Sequence, residues 1–321
     1  MNVVSGARIS SGGLHLGHFL GCIQPLLRNQ SSIDNYVFVL NVCNGFIDKA
    51  ELLNMLSDLY AIKANYDLKN MHVLVDEPFL QQYSNLFSFL QTTTTLNELL
   101  HIYPQSQHDS IDDFLFPLKQ AMTYYIFDAE KAFLNNDNIR FVEFASRLAK
   151  KVNKCSKLEL SCPKLETGFI PRLHGYNYKK MCKHNNNSIY FSDSIIDIEK
   201  KIYKLFDMKQ LFKKYPDELS NFNNNKPYML PDYYLPFEFL EAFSLKPLKD
   251  IDLGFDIKNS LKRKELREYL FEIVSGLILP IQTVKSQMST TDLLTQLKCD
   301  QKYIQSITRK FELSNLEYDH I

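Results

Sequence analysis

Two imidazoles, His15 and His18, stand three residues apart in the stretch Ser5–His18, SGARISSGGLHLGH. At the start of a helix, that spacing lets both rings face the same side. The glycines ahead of them allow the backbone to turn tightly and to approach a phosphate. A helix start adds unpaired N–H groups and a partial positive charge. Such a set can donate hydrogen bonds to a triphosphate as negative charge migrates during displacement at the α-phosphorus. The simpler alternative is a strand–loop–helix turn whose histidines merely cap and pack. The chain has neither a GxxxxGK[ST] phosphate loop nor a GxGxxG dinucleotide fingerprint.

A second cluster of chemistry-bearing residues lies far downstream, in Leu173–Asp193, LHGYNYKKMCKHNNNSIYFSD. Lys180 and Lys183 bracket Met181 and Cys182, with His184 following. Two such cations can neutralise pyrophosphate as it leaves. A solvated basic loop is the alternative. Cys182 reads as a tolerated small residue rather than a nucleophile.

The elements that must hold these residues follow from hydrophobic periodicity. Asn2–Ala7 reads as a strand, and Leu16, Phe19, Leu20, Ile23, Leu26 and Leu27 recur at helical spacing. Asn35–Val42 is a short apolar run suited to a buried parallel strand. Leu52–Ala64 predicts a helix and Met71–Val75 a further strand, an alternation that implies a doubly wound α/β sheet. Phe79–Lys154 is mostly helical, with a polar break at Gln105–Ser110, and Leu165–Asp193 is loop-rich. Helical pattern returns after Ile195 and is interrupted at Asn221–Pro231, where Asn and Pro favour turns. Glu265–Val284 predicts a long helix with Leu266, Leu270, Ile273, Val274 and Leu277 on one face.

Taken together, HLGH and the later KMCKH resemble the HIGH and KMSKS signatures of class I aminoacyl-tRNA synthetases. The SG…SG opening is similar to that of the tryptophanyl and tyrosyl branch, and the chain as a whole most resembles the tryptophanyl enzymes. The resemblance implies a Rossmann-like doubly wound parallel sheet with a C-terminal helical domain. Residues 1–194 would form the catalytic domain with a helical insertion, and residues 195–321 an anticodon-binding-like helical domain. It also implies ATP and Mg2+, with His15, His18, Lys180 and Lys183 catalytic. Ser5, Gly6, Gly12, Gly13 and Gly17 would contact the nucleotide, as would Asp137, Asn138, Met181 and Cys182. Phe116–Ala121 (FPLKQA) is similar to the family's amino-acid-pocket helix, so Gln120 would meet the substrate's amino group. Leu40, Cys43, Phe116 and Thr123 would complete that pocket. Glu265–Gln282 resembles the last long helix of tryptophanyl enzymes, and basic residues in Lys258–Arg267 could meet tRNA or simply be solvated.

Departures from the pattern bear on specificity. Thr123 stands where many members carry an Asp that reads the substrate's polar ring atom. Asn41-Val42-Cys43-Asn44 replaces an acidic or Asp-Gln-His strand end, and Asn138 replaces a Gln. Three functions therefore stay open: a synthetase charging tRNA with an aromatic amino acid, a paralogue joining an activated amino acid to another acceptor, and a non-catalytic RNA-binding or regulatory paralogue. The family implies a homodimer.

Bulk properties bound these readings without choosing among them. The 321 residues suffice for a nucleotide-binding domain and a smaller second one. Lys+Arg and Asp+Glu are both 37, so any RNA contact must come from a local patch. Cys22, Cys43, Cys155, Cys162, Cys182 and Cys299 show no metal-ligand spacing. No apolar run reaches the ~18 residues of a membrane span, and no export signal opens the chain, so a cytoplasmic location is expected.

Overall fold

In the computed structural model the described residues are 1–9, 12–42, 48–102, 110–168, 173–182, 185–207, 209, 213, 235–243, 260–309 and 311. Cys43, Asn44, Lys183, His184 and the Asn221–Pro231 break lie outside them.

Five parallel strands form one sheet in the order β3-β2-β1-β4-β5: β1 (Asn2–Arg8), β2 (Asn35–Asn41), β3 (Met71–Val75), β4 (Lys131–Phe133) and β5 (Lys164–Glu166). β2 is buried on both faces, as a parallel strand between helical layers must be. Its alternation assigns Tyr36, Phe38 and Leu40 to one core and Val37 and Val39 to the other.

The first core is covered by α1 (Leu16–His18), α2 (Gln24–Asn29) and α3 (Lys49–Asn65). The second lies under α4 (Asp76–Leu80), α5 (Ser84–Thr93), α6 (Leu96–Ile102), α7 (Ile111–Phe114), α8 (Phe116–Ile126) and α9 (Ile139–Cys155). Beyond Asp193, every described element is helical: α10 (Ile195–Leu205), α11 (Leu235–Phe243), α12 (Ser260–Lys285) and α13 (Thr290–Ile307). Ser194 caps α10 by accepting the Asp197 N–H.

α12 packs on α3 and α10, and α13 lies along α3 and β3. The first core consequently runs without interruption from Val3 to Leu297. α12 buries Leu266, Leu270, Val274, Ile278 and Ile281 completely or nearly so. The expected face drifted here, since Ile273 and Leu277 are only partly buried. Its Pro280 lies inside the helix.

α13 is anchored through Asp300. This buried carboxylate accepts the Val73 N–H of β3 at 3.0 Å and the Tyr60 hydroxyl at 3.0 Å. His72 Nδ1 and Lys63 Nζ lie 3.2 and 3.4 Å away. Burial alone would raise the Asp300 pKa, but these partners outweigh it and hold the carboxyl below its ordinary value.

Two features escaped periodicity. β4 and β5 are three residues long, too short for alternation to register. The helical run after His18 is wound as a π-helix over Phe19–Ile23 before α2 begins. Such windings occur often beside functional sites.

Candidate active site

In an open α/β sheet, ligands bind beyond the carboxyl ends of the strands where the chain order reverses. Here that point lies between β1 and β4. The segment leaving β1 there carries Gly12, Gly13, His15, Gly17 and His18.

His15 and His18 stack with ring centroids 3.7 Å apart and 19° between planes. The His15 N–H donates to His18 Nδ1 at 3.3 Å, which leaves the proton of a neutral His18 on Nε2. His15 is buried, and its Nδ1 has no hydrogen-bond partner among the described residues. Burial, then the nearby His18 and Lys180 charges, push its pKa well below the ordinary imidazole value. The pair thus presents a neutral imidazole at neutral pH on the His15 side.

The glycines are there for space. Gly13 adopts φ +74°, and a Cβ on it would lie 2.5 Å from Asp58 Oδ2. A Cβ on Gly12 would enter the Tyr190 ring at 2.2 Å. Gly17 sits 3.0 Å, by the same construction, from the His15 ring and 3.8 Å from Met181. Asp58 of α3 is fully buried and accepts the Leu14 N–H at 2.9 Å, while Lys285 of α12 donates to its other oxygen at 2.6 Å. Burial raises the Asp58 pKa, and Lys285 and the Leu14 N–H oppose that rise.

The second motif is stitched directly to the first. Leu16 N–H donates to the Ile189 carbonyl and Phe191 N–H to the Leu14 carbonyl, both at 3.0 Å. Tyr190 meets the His15 ring edge-on, with centroids 5.9 Å apart. The loop carrying Lys180, Met181 and Cys182 is organised around Asn187, which is fully buried. Asn187 donates to Asn177 Oδ1 and to the carbonyls of Lys179 and Lys180, and it accepts the Cys182 N–H at 3.0 Å. Met181 is buried and its N–H donates to the Leu173 carbonyl at 3.0 Å. Asp193 then closes the segment by accepting the Tyr190 N–H and two 2.7 Å bonds from Lys201.

The remaining expected residues divide. Ser5 and Gly6 lie within β1: the Ser5 hydroxyl donates to the Phe133 carbonyl, and Gly6 lets β2 approach at Val39. Both are therefore built into the sheet. Leu40 is fully buried on the α3 side, away from α8 on the other face. α8 carries Phe116, Gln120 and Thr123. Gln120 donates to the Tyr124 hydroxyl at 2.7 Å, and its buried Oε1 has no partner among the described residues. The Thr123 hydroxyl donates to the Lys119 carbonyl one turn back, so it is satisfied by its own helix. Asn138 belongs to the turn Asn136–Asn138 and donates to the Asn135 carbonyl at 3.2 Å. Asp137 occupies the same turn, its side chain outside the described residues.

Several residues of this region were not anticipated. Asn135, after β4, donates to the Gly17 carbonyl at 3.3 Å and leaves a buried Oδ1 unpartnered among the described residues. Arg8, at the end of β1, places its guanidinium 4.6 Å from the centre of the Phe116 ring. Its position at a strand end was a usable signal. Asp76, buried at the end of β3, accepts from Asn41 Nδ2 and the Val42 N–H at 2.9 and 2.8 Å. Nothing local in the sequence marks Asp58, whose partners Leu14 and Lys285 are distant in the chain, and the Asn-rich stretch that holds Asn187 does not show which of its residues organises the loop.

A family model described as tRNA synthetases class I (W and Y) matches residues 1–244. The tryptophan–tRNA ligase of Mycoplasma genitalium is 27% identical over 220 residues, 61% of this chain and 62% of that protein. The match thus spans a little under two thirds of the relative's length. A tryptophanyl-tRNA synthetase structure from Mycoplasma pneumoniae superposes with a TM-score of 0.72 at 17% identity, covering 95% of this chain and 94% of that one. The tryptophanyl-tRNA synthetase from Campylobacter jejuni complexed with ADP and tryptophan gives 0.68 at 17% identity, covering 96% of each chain. The fold is shared with both structures, and with the family model matching well over half its length the chain belongs to the class I tRNA synthetases of the tryptophan and tyrosine type.

Proposed function

We propose that the protein is a tryptophanyl-tRNA-synthetase-like ligase that activates an aromatic amino acid with ATP and transfers it to tRNA. The observation that carries this reading is the stacked His15–His18 pair at the sheet's switch point, bonded through the main chain to the segment that bears Lys180. Among the described residues, Oε1 of Gln120, Oδ1 of Asn135 and Nδ1 of His15 are buried without a hydrogen-bond partner, and Asn135 is bonded to the histidine turn at the Gly17 carbonyl. Buried polar atoms of this kind ordinarily find partners, and a bound ligand would supply them.

A carboxylate oxygen of the amino acid attacks the α-phosphorus of ATP. The bond from that phosphorus to the bridging oxygen breaks, and its electron pair leaves with pyrophosphate. His15, His18 and the main chain near Gly12 and Gly13 hold the phosphates. Lys180, with Lys183, neutralises the departing charge. Magnesium would travel on the phosphate oxygens. Gln120 Oε1 would accept from the substrate's amino group, and no covalent enzyme intermediate is required.

The family resemblance supports a homodimer and a cytoplasmic protein, with residues 195–321 meeting tRNA. Among the described residues, no helix is long and apolar enough to cross a membrane. ATP–pyrophosphate exchange with each standard amino acid, followed by tRNA charging, tests the reading. Exchange with one aromatic amino acid, reduced about a hundredfold or more by His18→Ala, is the expected result. Exchange without charging would point instead to another acceptor.

A further inference from the structure

Gln282 and Lys285 stand three residues apart in the last turns of α12 and so share a face. Gln282 Nε2 donates to the main-chain carbonyls of Phe191 and Asp193 at 2.7 and 2.8 Å. Lys285 Nζ donates to Asp58 Oδ1 at 2.6 Å and to Asn54 Oδ1 at 2.7 Å. The other Asp58 oxygen accepts the Leu14 N–H, one residue before His15. Phe191 is itself bonded to Leu14. One helix face therefore reaches both sides of the pairing that joins the histidine turn to the lysine segment.

The turn is shaped around this contact. Gly13 has φ +74°, and even a methyl group there would collide with the Asp58 carboxylate. Asp58 is fully buried, and Lys285 supplies the compensating charge from a different part of the chain.

We propose that Gln282 and Lys285, the latter acting through Asp58, are positioning residues for adenylation. α12 sets where the histidine turn stands relative to the lysine segment, so displacing the helix shifts both motifs together. This rests on the activity proposed above.

The first measurement needs no substrate. Amide hydrogen exchange on the full chain compares wild type with the double variant Asp58→Asn, Lys285→Met. In that variant the carboxamide that replaces the Asp58 carboxylate still offers Leu14 an acceptor, and no buried charge is left unpaired. Exchange in residues 12–18 should accelerate about tenfold or more, Gln282→Ala should do the same in residues 189–193, and Lys285→Arg should keep wild-type protection. Unchanged protection of both segments overturns the proposal.

The second measurement is ATP–pyrophosphate exchange. The double variant should lose about tenfold or more in kcat while KM for the amino acid stays within about twofold, and Lys285→Arg should retain most activity. A wild-type kcat, or a loss carried wholly by KM, overturns the proposal. A wild-type chain inactive with every amino acid sinks the functional reading alone, because the amide-exchange result still decides the role of α12.

Discussion

Within the HLGH turn, the buried surroundings of the His15 imidazole make its charge depend on folding. His15 is buried with its pKa pushed well down, so the folded protein keeps it neutral where an unfolded chain would take up a proton. Below about 6.5 the unfolded state therefore binds more protons, and stability falls with pH until His15 protonates in the folded state too. Urea denaturation between pH 7.5 and 5 should show that slope, and His15→Asn should flatten it. On α8 the contrast between Gln120 and Thr123 is equally testable. The Thr123 hydroxyl is already bonded to its own helix, so Thr123→Val should change KM for the amino acid less than about twofold. Gln120→Ala removes a buried acceptor and should raise KM by about tenfold or more in the same exchange assay. The histidines, Gln120 and the loop lysines could be proposed from sequence because their types and order form a linear signature. Asp58 and Asn135 could not, because each acts on a main-chain group brought near only by folding.

Single elements explain why the turn can hold its shape. β1 passes into a glycine turn, a three-residue helix and a π-helix, and the turn is bonded along its length to the segment 189–191. Strands β1 to β3 and helices α3 and α12 followed from periodicity, since each spans enough residues for its buried face to repeat. β4 did not, although it sits beside β1 and delivers Asn135 to the site. Its short length is compensated by the Ser5 hydroxyl, which bonds the Phe133 carbonyl across the pair. At the other side of the sheet, α13 depends on Asp300. Replacing it by Ala strands the Lys63 and His72 partners and the Val73 N–H, a loss of about 3–5 kcal/mol by analogy with other broken buried pairs. Urea unfolding at pH 7 measures that. Because the Asp300 pKa is lowered by folding, its contribution is full above the ordinary carboxylate range and disappears as pH falls through the lowered value. The difference between wild type and Asp300→Ala should shrink accordingly at low pH.

At the scale of the whole molecule, the sheet and the C-terminal helices share one core. Leu266, Leu270, Val274, Ile278, Ile281, Leu293 and Leu297 are buried in the same cluster as Val3, Phe38 and Leu59. A chain ending after Phe243 should therefore be recovered largely unfolded, judged by circular dichroism and protease sensitivity, while the 321-residue chain melts in one transition. Length and the family resemblance had suggested two units, and only the packing of α12 on α3 shows how much apolar surface they hold in common. The rim of the sheet depends on the same packing. β3 is its outermost strand on that side, and Val73 offers a main-chain donor that Asp300 occupies. An uncovered rim of this kind is a template for strands of other molecules. α13 thus doubles as a guard against intermolecular β-pairing, and a chain that loses it is liable to self-association through β3 as well as to unfolding.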